Sequence, residues 1–262
     1  MSNAALQVAR TGLDAQNTKM RVIANNLANV NTTGFKRDRA DFETLAYQQI
    51  VAAGANSDSE NKFATGLNLG SGVALQGTSK INTQGTLEQT GNALDMAIEG
   101  AGYFQVQRPD GSTAYTRAGN FSVTAEGTVV TSDGLPLIPA ITVPQGATSV
   151  TVGNDGTVSA TLQGQAEPTQ LGQIELASFM NSAGLQSIGG NLLTETAASG
   201  TPQVGAAGLD GRGNIRSGNL ETSNVNVVEE LVDMIETQRA YEVNSKMIKA
   251  TDEMLQFVNQ NI

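Results

Sequence analysis

Leu6, Leu13, Met20 and Leu27 recur every seven residues, and Ala9, Gln16, Ile23 and Val30 form a parallel row in which only Gln16 is polar. Two adjacent rows of this kind predict an amphipathic helix over about residues 4 to 30, roughly 40 Å long at 1.5 Å per residue. Asn31-Thr32-Thr33-Gly34 reads as its stop, with Gly34 taking the left-handed conformation past the helix end. At the other end of the chain Asn226 is a good N-cap, and Glu229, Glu230 and Asp233 place negative charge on the positive end of a second helix. Val227, Met234, Tyr241, Ile248, Leu255 and Ile262 then form an apolar heptad row, flanked first by Leu231 and later by Ala240, Met247 and Met254, while Gln238, Ser245 and Asp252 fill the neighbouring row. A seam apolar in one row and polar in the next suits several packing neighbours better than one two-stranded coil.

Between the helices the period drops to two. Leu94, Met96 and Ile98 alternate with polar or small residues, as do Phe104 and Val106, then Phe121 and Val123. Arg108-Pro109-Asp110-Gly111, Ala125-Glu126-Gly127, Asp133-Gly134 and Asn154-Asp155-Gly156 supply hairpin turns between these runs. The stretch from about 73 to 200 therefore reads as antiparallel β. Residues 51 to 66 and 197 to 213 are small, polar and aperiodic, and read as loops or connectors. The expected fold class is α+β: long N- and C-terminal α-helices forming a coiled-coil-like core layer, with an inserted, mainly antiparallel β domain. The corresponding division is a helical domain of residues 1–34 and 222–262, a connector of 35–80 and 201–221, and a β-rich domain of 81–200.

Composition narrows the chemistry. The 262 residues include no His, Cys or Trp. Histidine-dependent triads, thiolate nucleophiles, zinc held by His or Cys, iron–sulfur clusters and disulfides are therefore excluded. No cofactor or metal site is indicated. The net charge of −10 disfavours nucleic acid as a partner. Charge is also unevenly placed: residues 1–39 carry six bases against two acids, and residues 221–262 carry eight acids against three bases, so the two ends attract. No apolar run is long enough to span a bilayer, and the N-terminus lacks the basic and apolar regions of a general secretory signal.

The remaining candidates for catalysis are thin. Thr33 lies three residues before Lys36, the spacing of a hydroxyl–lysine dyad, but Lys36 sits beside Arg37 and Arg39 rather than in an evident apolar pocket. Asp38 with Asp41, or Asp95 with Glu99, could serve glycoside hydrolysis, yet an acidic chain offers such pairs by chance. The Asp-Gly turns lack the ordered oxygen ligands of a calcium loop. The terminal helices admit two readings, an intramolecular pair closing the β body or an assembly surface. Their length favours assembly, because one small β domain cannot cover both.

Asn25-Asn26-Leu27-Ala28-Asn29-Val30-Asn31-Thr32-Thr33-Gly34-Phe35-Lys36 resembles the N-terminal signature of bacterial flagellar rod and hook proteins. The segments from Asp95 to Val106 and from Tyr115 to Phe121 are similar to the family's central region. The run from Glu221 through Ser223, Asn224 and Val225 to Val232, with Gln238-Arg239-Ala240-Tyr241-Glu242, resembles its C-terminal signature. The resemblance covers nearly the whole chain in order, and within the family it is nearest to the distal rod component; proximal rod and hook paralogues, an adhesin and a glycan hydrolase are the alternatives. It implies a non-enzymatic structural subunit, exported by the flagellar type III apparatus without a cleaved signal, that forms a helical homopolymer across the periplasm. The partners so implied are proximal rod proteins, the hook protein and the surrounding P- and L-rings, and residues 48–72 would be the stretch that stiffens the rod. The expected assembly interface is Leu6, Leu13, Met20, Ile23, Leu27, Val30, Val227, Leu231, Met234, Tyr241, Ile248 and Leu255.

Overall fold

The structure is a computed structural model and describes residues 2–56, 64–163 and 167–260, with backbone alone at 2–4, 255 and 258–260. It divides into two compact units, one of Met1–Leu27, Asp38–Ser79 and Asn226–Ile262, the other of Ala28–Arg37 and Lys80–Val225. Among the described residues there are two α-helices, α1 (Ser2–Ala28) and α2 (Val227–Gln260), and twenty strands. The fold is thus dominated by strands in many small sheets.

In the first unit α2 begins where its capping residue predicts. Asn226 Oδ1 accepts a hydrogen bond from the Val228 N–H at 3.1 Å, and the Glu230 N–H donates to the Asn226 carbonyl at 3.0 Å. The two helices run antiparallel. A Cβ on Gly12 would lie 3.1 Å from Asn244 Nδ2, Lys19 Nζ is 3.9 Å from Asp233, and Asn26 Nδ2 is 3.2 Å from Glu230.

The coiled-coil-like core layer expected from the heptads does not form. The face of α2 turned inward is Glu230, Asp233, Thr237, Ala240, Asn244, Ile248 and Thr251, small or polar at nearly every step and spaced three or four residues apart. The expected row does not follow that face: Val227, Leu231 and Tyr241 are 39%, 42% and 39% exposed. The cause is geometric. A strict seven-residue row drifts by about 20° per heptad around a straight helix, so it starts on α2's flank and reaches the inward face only near Ile248.

The connector expected over 35–80 also carries strands. Asp38–Thr44 pairs with Val73–Lys80, and Tyr47–Val51 pairs antiparallel with Leu67–Gly70. Part of the 48–72 stretch, residues 57–63, lies outside the described residues.

The second unit holds the main apolar core. Its largest sheet has seven strands: Gln186–Gly189, Leu192–Thr194, Thr113–Thr116, Tyr103–Gln107, Glu175–Ser178 and Gln203–Ala206 in spatial order, with Leu137–Ile138 also pairing to Tyr103–Gln107. Residues 197–213, expected as a loop, therefore supply an edge strand. The four turn signals all close as expected, seen in the hydrogen bonds Gly111 N–H to Arg108, Gly127 to Thr124, Gly134 to Thr131 and Gly156 to Gly153. Met96, Ile98, Phe104, Val106, Leu137, Ile141, Ile174, Leu176 and Ile215 are essentially inaccessible, and the Phe104 and Phe121 rings meet edge to face at 5.2 Å.

Candidate functional site

Within the second unit the N- and C-terminal signature segments meet around one buried carboxylate. α1 ends at Ala28, two residues earlier than expected, and the chain then turns through Asn29 and Thr32 before Gly34. Gly34 is not the helix cap that the sequence suggests. It has φ +70° and lies so close to the Arg117–Ala118 backbone that a Cβ would sit 2.6 Å from Ala118 N, so only glycine fits. Its N–H donates to the Glu221 carbonyl at 2.8 Å.

The Glu221 side chain accepts from three directions. Lys36 Nζ donates to Oε1 at 2.5 Å, the Gly85 N–H donates to Oε1 at 2.9 Å, and Arg117 Nε donates to Oε2 at 3.0 Å. Lys36 Nζ also donates to the Thr83 carbonyl, and Arg117 Nη1 donates to the carbonyls of Gly100 and Gly102. Burial holds the Lys36 ammonium below its ordinary pKa; Glu221 opposes that shift and the Arg117 charge adds to it. Asn224 clamps the same region: Oδ1 accepts from the Arg37 N–H at 2.8 Å while Nδ2 donates to the Ile81 carbonyl at 2.7 Å.

Phe35 is buried with Lys80 Nζ 5.4 Å from its ring centre, Val225 is buried, and Ser223 Oγ accepts from the Val225 N–H. These contacts tie residues 34–37 to 221–225.

A second polar junction sits in the first unit, between the helices. Asn26 is 2% exposed and its Nδ2 donates to both oxygens of Glu230, itself 3% exposed, and to the Asp38 carbonyl, while its Oδ1 accepts from the Asp38 N–H. Asn29 and Leu27 are half-buried; Asn25, Ala28, Arg239 and Tyr241 are exposed. Of the expected interface residues on α1, Ile23 is buried and Leu6, Leu13, Met20 and Leu27 are half-buried, as is Val30 in the turn that follows the helix. On α2, Met234 and Ile248 are half-buried, and Leu255 lies outside the described side chains.

A row that the heptad count touches only at Met247 and Met254 runs along the far side of α2. Val228, Val232, Ile235, Val243, Met247, Met254 and Phe257 share one flank, spaced by three or four residues or, between Ile235 and Val243 and between Met247 and Met254, by two such steps, and each is at least 50% exposed. A helix apolar outward and small or polar inward is the inverse of a monomeric surface helix. Counting in steps of 3.6 instead of seven exposes this row in the sequence.

The catalytic candidates are engaged in local contacts. Asp41 accepts from Arg39 and Ser79, Asp95 from Thr90 and Asn92, and Glu99 from Arg216. Lys36 Nζ is held by Glu221 and the Thr83 carbonyl. Asp110 and Asp155 accept from the N–H groups two residues ahead, the bonds of tight turns.

Comparison with known proteins shows the family in which these segments occur. Residues 6–36 match the flagella basal body rod protein family, 97–160 the D1 domain of flagellar hook proteins FlgE/F/G, and 216–261 the C-terminal region of flagellar basal body rod FlgEFG proteins. The chain is 52% identical over 256 residues to the flagellar basal-body rod protein FlgG of Buchnera aphidicola subsp. Acyrthosiphon pisum, covering 98% of each chain. The chain belongs to the flagellar basal-body rod and hook family. In Caulobacter vibrioides it is 48% identical to FlgG over 98% of both chains, and 36% identical to FlgF over 93% of this chain and 92% of that one. Similarity to FlgG along nearly the whole chain, together with the matched rod-family regions, supports a structural subunit of the flagellar distal rod. The three matched regions contain the Gly34–Lys36 turn, the Ala97–Gly102 and Arg117 segments, and the start of the C-terminal signature's strand and helix.

Proposed function

We propose that the subunit polymerises through the outward face of α2, seated on a second copy of this chain, to build a hollow helical shaft that carries torque and leaves a channel for export. The observation that supports this most is the exposed row Val228, Val232, Ile235, Val243, Met247, Met254 and Phe257. Fully burying one such side chain is worth about 1.5–3 kcal/mol, so the row represents a substantial drive to associate that one copy leaves unused. Neighbouring copies cover, away from that outward face, the apolar surface left on the half-buried residues of the expected rows, Leu6, Leu13, Met20, Leu27, Met234 and Ile248. The role is mechanical and non-enzymatic: contacts transmit force, and a head-to-tail screw operation extends the tube.

The shaft crosses the periplasm inside the P- and L-rings, with proximal rod proteins below and the hook protein above. Subunits reach it through the type III export apparatus without a cleaved signal. The 48–72 stretch stiffens the tube.

Val243→Asp and Met247→Asp test the interface. Both variants should keep wild-type circular dichroism and lose polymerisation in sedimentation, because an unpaired charge cannot enter an apolar contact. Polymers of normal length from both variants would remove α2's outward face from the interface.

A further inference from the structure

The buried junction around Glu221 contains two cations and one anion. Lys36 and Arg117 side chains are each 6% exposed and Glu221 is fully buried. The Thr83, Gly100 and Gly102 carbonyls that also engage the two cations contribute dipoles, not charge. A cavity of about 270 Å³ opens beside them, lined by Lys36, Arg117, Tyr103, Asn82, Ser178 and Ser182 among others. Arg117 Nε and Nη1 are taken by Glu221 and the two glycine carbonyls; Nη2 donates to no described residue and remains for the cavity. Hydroxyls and an amide complete the wall, and Asn82 Nδ2 donates to Ser182 Oγ at 2.9 Å.

We propose that this cavity is an oxyanion site, built to take a single carboxylate or phosphate group against Arg117 Nη2 and the Lys36 ammonium. An uncompensated positive charge in a low-dielectric interior is costly, and one oxyanion neutralises it while accepting the donors that face the space. Two sources share that chemistry: a free small anion, or an acidic side chain from a second copy. The site is independent of the α2 interface and stands or falls apart from it.

The test is thermal melting of the soluble full chain, followed by circular dichroism, with inorganic phosphate or acetate titrated against chloride at constant ionic strength. Ser182→Asp and Ser178→Asp each place a carboxylate on the cavity wall, and an acid at 182 can still accept the Asn82 bond. For a free anion, wild type should melt about 5–10 °C higher at a hundredfold excess over Kd, and the melting temperature should go on rising with the logarithm of anion concentration. The Asp variants should melt higher than wild type in chloride alone and lose the response. If wild type ignores free anions while the Asp variants still melt higher and polymerise less, the carboxylate comes from a second copy. Absence of any anion response, with both Asp variants melting at or below wild type, overturns the proposal, as does an unchanged anion response in both variants.

Discussion

Lys36 and Glu221 are 185 positions apart in sequence, yet Nζ and Oε1 lie 2.5 Å apart with both side chains buried. Glu221 is the sole anion for two buried cations in this junction, so its loss should be worse than the loss of either one. Glu221→Gln should cost about 3–5 kcal/mol in urea unfolding of the soluble chain. Lys36→Met, which leaves the Arg117–Glu221 pair intact, should cost distinctly less. Equal costs would show that the charges are not coupled in this way.

Titration of the same lysine has a defined sign. Its folded pKa lies below 10.5, so the unfolded chain binds more protons over the interval between the folded pKa and 10.5, and Lys36's contribution to stability rises with pH there. Lys36→Met should flatten that rise in a stability–pH profile taken below pH 10.5. A profile identical to wild type would exclude a depressed lysine.

Tyr115 acts in the opposite direction. Burial, then the Glu195 carboxylate that accepts its hydroxyl at 3.3 Å, push it up to about 12 from 10.0. Because the folded pKa is raised, the stabilisation is present below pH 10 and is lost as pH climbs toward 12. Tyr115→Phe should therefore show a smaller alkaline loss between pH 10 and 12, and ultraviolet titration should find one late-ionising tyrosine missing.

Gly34→Ala should cost about 3 kcal/mol or more, from a left-handed φ and a Cβ 2.6 Å from backbone atoms. Gly111→Ala is the control: φ is +83° but nothing lies within 4 Å of the added Cβ, so about 1 kcal/mol is expected. Comparable losses in denaturant midpoint would mean that close approach does not matter at Gly34.

Gln105 is buried and its Nε2 has no hydrogen-bond partner among the described residues. Gln105→Met keeps the volume and removes the stranded amide, so it should stabilise the chain by about 1 kcal/mol in denaturant unfolding. Destabilisation by that amount would mean the amide is satisfied in solution.

Helix starts and turns were legible in the sequence, for local reasons, whereas the coiled-coil core layer expected from the heptads is absent. Asn226 and the acids after it marked the start of α2, and each Asp-Gly or Glu-Gly turn signal closed a turn, because capping and turn chemistry depend on neighbouring residues alone. Long-range relations were harder. Glu221, Arg117 and Lys36 stood inside quoted signature segments, but nothing local says that one carboxylate will gather two distant cations. The heptad row on α2 misled because a seven-residue count drifts around a straight helix. It followed Val227 and Tyr241, which are exposed, took Ala240 and Met247 together as its flanks although the first turns inward and the second out, and passed over Thr237 and Asn244, which turn inward, and Val243, which turns out. The strand at Gln203–Ala206 was missed because its composition is that of a loop and pairing supplies its order, while Tyr47–Val51, with strand-favouring Tyr47, Ile50 and Val51, was passed over inside the expected connector.

The central claim, a structural subunit of the flagellar distal rod, is tested most directly by electron microscopy of hook–basal bodies purified from a strain lacking this gene, beside the complemented strain. Basal structures that stop at the proximal rod, without hook or outer rings, restored by complementation, are the expected result. Complete hook–basal bodies in the deletion strain would contradict it.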